Sequence, residues 1–225
     1  MKIKELKIYT PNLPKQTDFY VDKIGLDLIE KTEFEARLQI GKSILVLIEN
    51  DKFQPYHFAI NIPSNKEEEA LKWLKSRVTI LKDGKNEIQD FDFWNAKAIY
   101  FYDMDNNIVE LIARKNLKNE SKELFSSKSF LEISEIGTPA NDIEKTYKTL
   151  KSYVDIPIFD GGFERFCAIG DEVGLFICIN KNIKDWFPTN DRAYSSYFEI
   201  EFEENGRDHK MEFKDENFRV VANKL

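Results

Sequence analysis

One order of elements recurs along this chain, and it constrains the fold more than any other feature. Residues 1–50 read as an alternating strand over 2–9, a Thr-Pro-Asn-Leu-Pro break, and a helix over about 14–23. Three short strands follow over 26–31, 34–40 and 43–49. Gly25 stops the helix and Gly41-Lys42 turns the last hairpin. Residues 56–114 repeat the order. A strand over 56–62 leads to a helix over 66–76 with Ala70, Leu71, Trp73 and Leu74 on one face. Ser64 or Asn65 is placed to cap that helix, and Glu67, Glu68 and Glu69 occupy its first turn. Strands over 78–81, 96–103 and 108–114 complete the unit.

A third copy has a strand over 131–137, a helix over 142–152 and strands over 156–159, 164–169 and 174–179. A fourth keeps strands over 196–202, 209–213 and 218–222 but shows no helical pattern. Residues 115–128, rich in Lys, Asn, Glu and Ser, read as a linker. The chain is therefore expected to be α+β, built of β-α-β-β-β units with the last unit lacking its helix. The missing helix leaves an apolar sheet face to be covered by domain packing or by a homodimer.

Composition narrows the function. At 42% hydrophobic residues the chain can bury a core, and no apolar run reaches the length of a membrane span. Thirty-three basic and 40 acidic residues leave a net charge of −7, which argues against nucleic acid and anionic membranes as partners. The opening MKIKELKIYTPNLPKQ lacks the apolar stretch of a secretory signal, and Cys167 and Cys178 cannot form a disulfide framework. A cytoplasmic location is expected. Only His57 and His209 are present, so chemistry that needs several histidines is excluded.

Residues 96–113, AKAIYFYDMDNNIVELIA, resemble the last hairpin of the vicinal oxygen chelate superfamily, the group of glyoxalases, bleomycin-resistance proteins and ring-cleaving dioxygenases. DFYVDKIGLDLI (18–29) resembles its helix-to-strand junction, and HFAINIPS (57–64) its first strand. The resemblance is strongest over 1–114. It implies that two units pair into one cupped mixed sheet, giving two tandem domains: 1–115, a linker at 116–128, and 129–225. It also implies a divalent metal in the cup, held by one residue from the first and one from the last strand of each unit. Those positions fall on Glu5 and Val46 in unit one and on His57 and Glu110 in unit two. In the second domain they fall on Glu135, Phe176 and Tyr197, and that domain reads as metal-free.

Strand alternation gives an independent reading, because side chains at i and i+2 share a face. The polar faces gather Glu5, Lys7, Tyr9, Arg37, Gln39, His57, Asn61 and Glu110. Glu110 stands in an otherwise apolar strand, where an unpaired carboxylate is costly and calls for a cation, a proton or a donor. Glu5, His57 and Glu110 together suit Zn²⁺, Mn²⁺, Ni²⁺ or Fe²⁺. Glu5 is then a third ligand or a general base, while Lys7, Tyr9, Arg37, Asn61 and Trp94 contact substrate. The alternative is Glu110 paired with Lys7 or Arg37 and no metal.

Two functions stay open. One is a metal-dependent isomerase, lyase or dioxygenase-type enzyme acting on a small molecule with two neighbouring oxygens. The other is a metal-free sequestration module of the bleomycin-resistance type for an aromatic or apolar compound. The aromatics of FDFWNA (91–96) either close over a ligand or plug the sheet end. Trp186 and Phe187 are expected to seal the second domain or the domain interface.

Overall fold

The computed structural model describes residues 1–221. Unit one comprises β1 (Lys2–Thr10), α1 (Leu13–Asp18), β2 (Asp27–Lys31), β3 (Glu35–Ile40) and β4 (Ser43–Glu49). Unit two comprises β5 (His57–Ile62), α2 (Glu67–Lys75), β6 (Ile80–Leu81), β7 (Gln89–Phe91), β8 (Ala96–Tyr102) and β9 (Ile108–Arg114). Unit three comprises β10 (Glu132–Gly137), α3 (Ile143–Tyr153), β11 (Ile158–Gly161), β12 (Phe166–Asp171) and β13 (Gly174–Ile179). Unit four is β14 (Phe198–Glu204), β15 (Arg207–Lys214) and β16 (Asn217–Val220), without a helix among the described residues. Of the expected last strand, Ala222 lies outside the described residues.

Local chemistry explains the helix ends. Asn12 caps α1 by accepting from the Lys15 amide, and Asp142 caps α3 by accepting from the Lys145 amide at 2.9 Å. After α1 the chain widens into a π-type turn over Phe19–Ile24, closed by Gly25 at φ 77°. Neither Ser64 nor Asn65 caps α2. The Asn65 side chain instead exchanges hydrogen bonds with Ser121, and the Ser64 amide donates to Asn119. These bonds pull residues 115–128 onto the body of the protein, with Phe125 buried against Trp73.

The strands form two mixed sheets, ordered β16-β15-β14-β1-β4-β3-β2 and β11-β12-β13-β10-β5-β9-β8-β6, with β7 also on β8. Unit one is therefore hydrogen-bonded to unit four, and unit two to unit three. The expected pairing of units one and two within one sheet does not occur. In each sheet the two first strands meet antiparallel, β1 with β14 and β5 with β10; β1, β5 and β10 are each flanked in parallel by their own unit's last strand, whereas β14 is flanked by β15, antiparallel.

One continuous core joins Leu6 and Ile8 of the first sheet, Phe58 and Ile60 of the second, and Leu13, Leu74 and Leu150 of the three helices. The apolar face of unit four is covered within the chain. α3 packs against β16 and β12, and Phe176 meets Phe218 and Phe202 with ring centroids 4.7 and 5.5 Å apart. A smaller apolar cluster, including Tyr100, Ile177 and Trp186, lies on the other face of the second sheet. No helix of the described residues is long and apolar enough to cross a membrane.

Candidate metal centre

The second sheet brings His57, Glu110 and Glu135 together, with one ligand atom from each lying within 4.8 Å of the others. All three are buried, at 6%, 3% and 3% exposure. His57 opens β5 and Glu110 sits mid-strand on neighbouring β9, where the parallel register sets Ala59 opposite Glu110. Glu135 reaches them from β10 because the β5–β10 register slips between Ile133 and Glu135. Strict alternation would leave Glu135 on the face of Ile133, in the core. The bulge turns it into the cup.

The donor atoms are poised for a cation. His57 Nδ1–H donates to the Ile108 carbonyl at 3.1 Å, which leaves the Nε2 lone pair facing inward. That atom lies 3.6 Å from Glu110 Oε2 and 4.0 Å from Glu135 Oε2. Bonds of ~2.1 Å to one ion set neighbouring donors ~3.0–3.4 Å apart, so small side-chain shifts suffice. Burial pushes the His57 imidazole down to about 4, so it is neutral at pH 7. Burial, then the neighbouring Glu135 charge, hold Glu110 well above the usual carboxylate range. Burial also raises Glu135, against the pull of Arg114. A neutral imidazole lone pair and two buried carboxylates fit a divalent metal with oxygen and nitrogen ligands.

A buried rail supports the cluster. Arg114, fully buried at the end of β9, donates through Nη2 to Glu135 and through Nε to Asn61 Oδ1 at 3.3 Å. Asn61 Nδ2 donates in turn to Glu132 at 2.9 Å and to the Glu172 carbonyl at 3.0 Å. With both carboxylates ionised against the one guanidinium, a bound divalent cation would leave the cluster with a single net positive charge.

The cluster lies at a cavity of about 490 Å³ walled by Phe91, Trp94, Tyr100, Phe166, Trp186 and Phe187. Trp186 lies against His57, with ring centroids 4.7 Å apart, and over Gly137, where a Cβ would come within 2.7 Å of the indole. Trp94 donates to Asp160 at 2.7 Å, and its ring lies 5.3 Å from the Arg114 guanidinium carbon.

Of the residues expected at one site, His57, Glu110 and Trp94 meet at this cavity. Asn61 stands behind it, engaged with Arg114 and Glu132. Glu5, Lys7, Tyr9 and Arg37 belong to the first sheet and do not join the cluster. Glu5 is ion-paired with Arg37, and Lys7 lies 3.4 Å from Glu199, which also accepts from Tyr9 at 3.4 Å. Satisfied charges of this kind need no metal. Neither Lys7 nor Arg37 reaches Glu110. Phe176 faces the core, and its neighbour Ile177, opposite Gly137, takes the cavity-lining position. The aromatics of 91–96 divide, with Phe91 and Trp94 walling the cavity and Phe93 fully exposed at its mouth. Trp186 and Phe187 wall this cavity, to which residues of units two and three both contribute. Sequence reasoning matched Glu135 but assigned it to a metal-free domain, and it overlooked Arg114, Tyr100 and Lys184. The lone arginine closing the apolar run IVELIAR was a readable signal.

Comparison with known proteins agrees with this architecture. No family model matches the chain. The metallothiol transferase FosB of Staphylococcus haemolyticus is 29% identical over 116 residues, covering 48% of this chain and 81% of the transferase. Among solved structures, a Bacillus subtilis protein assigned as a dioxygenase superposes with a TM-score of 0.59 at 14% identity, over 82% of this chain and 65% of that one. Glyoxalase I of Zea mays, as its V278E mutant, superposes with a TM-score of 0.54 at 15% identity, over 79% of this chain and 66% of that one. The repeated units, the fold shared with these structures and the likeness to the transferase bear out the resemblance to the vicinal oxygen chelate superfamily.

Proposed function

We propose that the protein is a divalent-metal-dependent enzyme whose substrate is a small molecule presenting two neighbouring oxygens. The observation that carries this reading is the inward-facing His57 lone pair meeting the Glu110 and Glu135 carboxylates at an aromatic-walled cavity. When bound, a divalent cation supplies Lewis-acid polarisation of the substrate oxygens. The chain's own residues prepare that chemistry. The Ile108 carbonyl fixes the His57 tautomer. Arg114 orients Glu135 and balances part of its charge. Trp186 covers His57 and excludes water. Ile177 occupies the fourth position of the cup, so three protein ligands leave sites open for substrate.

The donor set favours redox-inert chemistry. Oxygen-activating iron sites of the facial-triad kind use two histidines and one carboxylate, whereas this cluster has one histidine and two carboxylates. Isomerase, lyase or group-transfer reactions suit it better, and the likeness to a metallothiol transferase supports adding transfer to that set. Lys7 and Arg37 lie in the other sheet and take no part.

Thermal melting of chelator-stripped protein with added Mn²⁺, Zn²⁺ or Ni²⁺ tests the reading. The expected result is a stabilisation of ~2–4 kcal/mol at saturating metal, lost in Glu110→Gln. No shift with any of the three ions, with aromatic compounds binding equally well without metal, would favour a sequestration module instead.

A further inference from the structure

Lys184 lines the same cavity as the His57–Glu110–Glu135 cluster. Its backbone is held by a turn in which the Ile183 and Lys184 amides both donate to the Asn180 carbonyl. Two residues further on, Trp186 is seated on Gly137 and His57. The lysine is thus carried on a segment fixed at both ends. It is half-buried, yet among the described residues its ammonium makes no ion pair and no hydrogen bond.

That is unusual in a chain where acids outnumber bases. The neighbouring acids are otherwise engaged or turned to solvent. Asp160 accepts from Trp94, Asp90 lies 3.9 Å from Lys97, and Asp92 is exposed. Burial, and then the like charge of Arg165, lower the ammonium's proton affinity. A partly desolvated cation without a protein partner calls for an anion, and a ligand in the cavity can bring one. Lys184 shares the cavity with the metal-ligand cluster, and the rings of Phe91, Trp94, Tyr100, Phe166 and Phe187 wall it.

Resting on the function proposed above, we infer that Lys184 is a specificity-determining residue. It binds an anionic group, a carboxylate or its equivalent, at the end of the substrate away from the two chelating oxygens. The substrate class is then a planar or apolar molecule with a neighbouring oxygen pair at one end and a negative charge at the other.

Binding titrations on the Mn²⁺-loaded, full-length protein test this. The probes are catechol and three catechols bearing a carboxylate on an arm of increasing length: 3,4-dihydroxybenzoate, 3,4-dihydroxyphenylacetate and 3,4-dihydroxyphenylpropanoate. Each acid is compared with its methyl ester. The expected result is that at least one acid binds ~10-fold tighter than its ester. Lys184→Met should remove most of that preference and leave catechol within about twofold, while Lys184→Arg should keep it. Equal binding of acids and esters, or a preference that survives Lys184→Met, overturns the inference and leaves the metal-centre reading standing. Failure of catechol itself to bind the metal-loaded protein overturns that reading instead.

Discussion

Arg114 and Glu135 form an ion pair with almost no exposed surface, and the same carboxylate presents its other oxygen to His57 Nε2 at 4.0 Å. The guanidinium therefore holds a proposed ligand from behind. Its Nη1 has no partner among the described residues, so the pair is not fully compensated.

Removing one member of such a pair strands the other. Arg114→Met is expected to destabilise the metal-free protein by ~3–5 kcal/mol, because the Glu135 carboxylate stays buried without a counter-charge. Arg114→Met combined with Glu135→Gln should cost less than the sum of the single changes. Urea denaturation in the presence of a chelator measures both. Strict additivity would contradict the pairing.

Gly137→Ala tests the roof of the cavity. The added Cβ meets the Trp186 indole at 2.7 and 2.8 Å and the His57 carbonyl oxygen at 3.3 Å, so the ring must leave its seat. A loss of ~1–3 kcal/mol, a red shift in tryptophan emission and weaker binding of metal-chelating ligands are expected. An unchanged emission spectrum would show that Trp186 does not rest there.

Asp105, which is not a member of the cluster, supplies a pH dependence. One of its oxygens is buried without a partner, and burial pushes its carboxyl from 3.8 up to about 6. A raised carboxyl contributes stability that is complete below the unfolded value and is lost as pH rises through the folded one. The shift corresponds to at most ~3 kcal/mol, discounted to ~1–2 kcal/mol for partial exposure. Asp105→Asn should therefore stabilise the protein by that amount at pH 7.5, with the gain largely gone near pH 4. Denaturation at the two pH values checks it, and a gain of equal size at both would contradict the cause given.

Much of the fold was legible because each unit carries its own punctuation. Asn12, Gly25, Asp142 and the alternating strands act within a few residues of themselves. The alternation also set His57 and Glu110 on the polar faces of their strands correctly. What was not legible is which first strand each unit pairs with. The edge of β1 offers the same amides and carbonyls to β5 as to β14, and no local pattern distinguishes them. Placing Glu5 beside His57 followed from the wrong choice, whereas its true partner, Arg37, lies two strands away in its own sheet. Glu135 was obscured by the bulge beside Ser134, since strict alternation sends it into the core. Trp186 and Lys184 depend on how a long connection folds back over the cup, and no periodicity encodes that.

Calorimetric titration of Mn²⁺ into chelator-stripped wild type, Glu135→Gln and Glu5→Gln is the most direct test of the account. One site per chain is predicted for the wild type. Glu135→Gln should weaken it by ~10–100-fold, and Glu5→Gln should leave it unchanged. Binding that survives Glu135→Gln intact, or that disappears with Glu5→Gln, would contradict a centre built from units two and three.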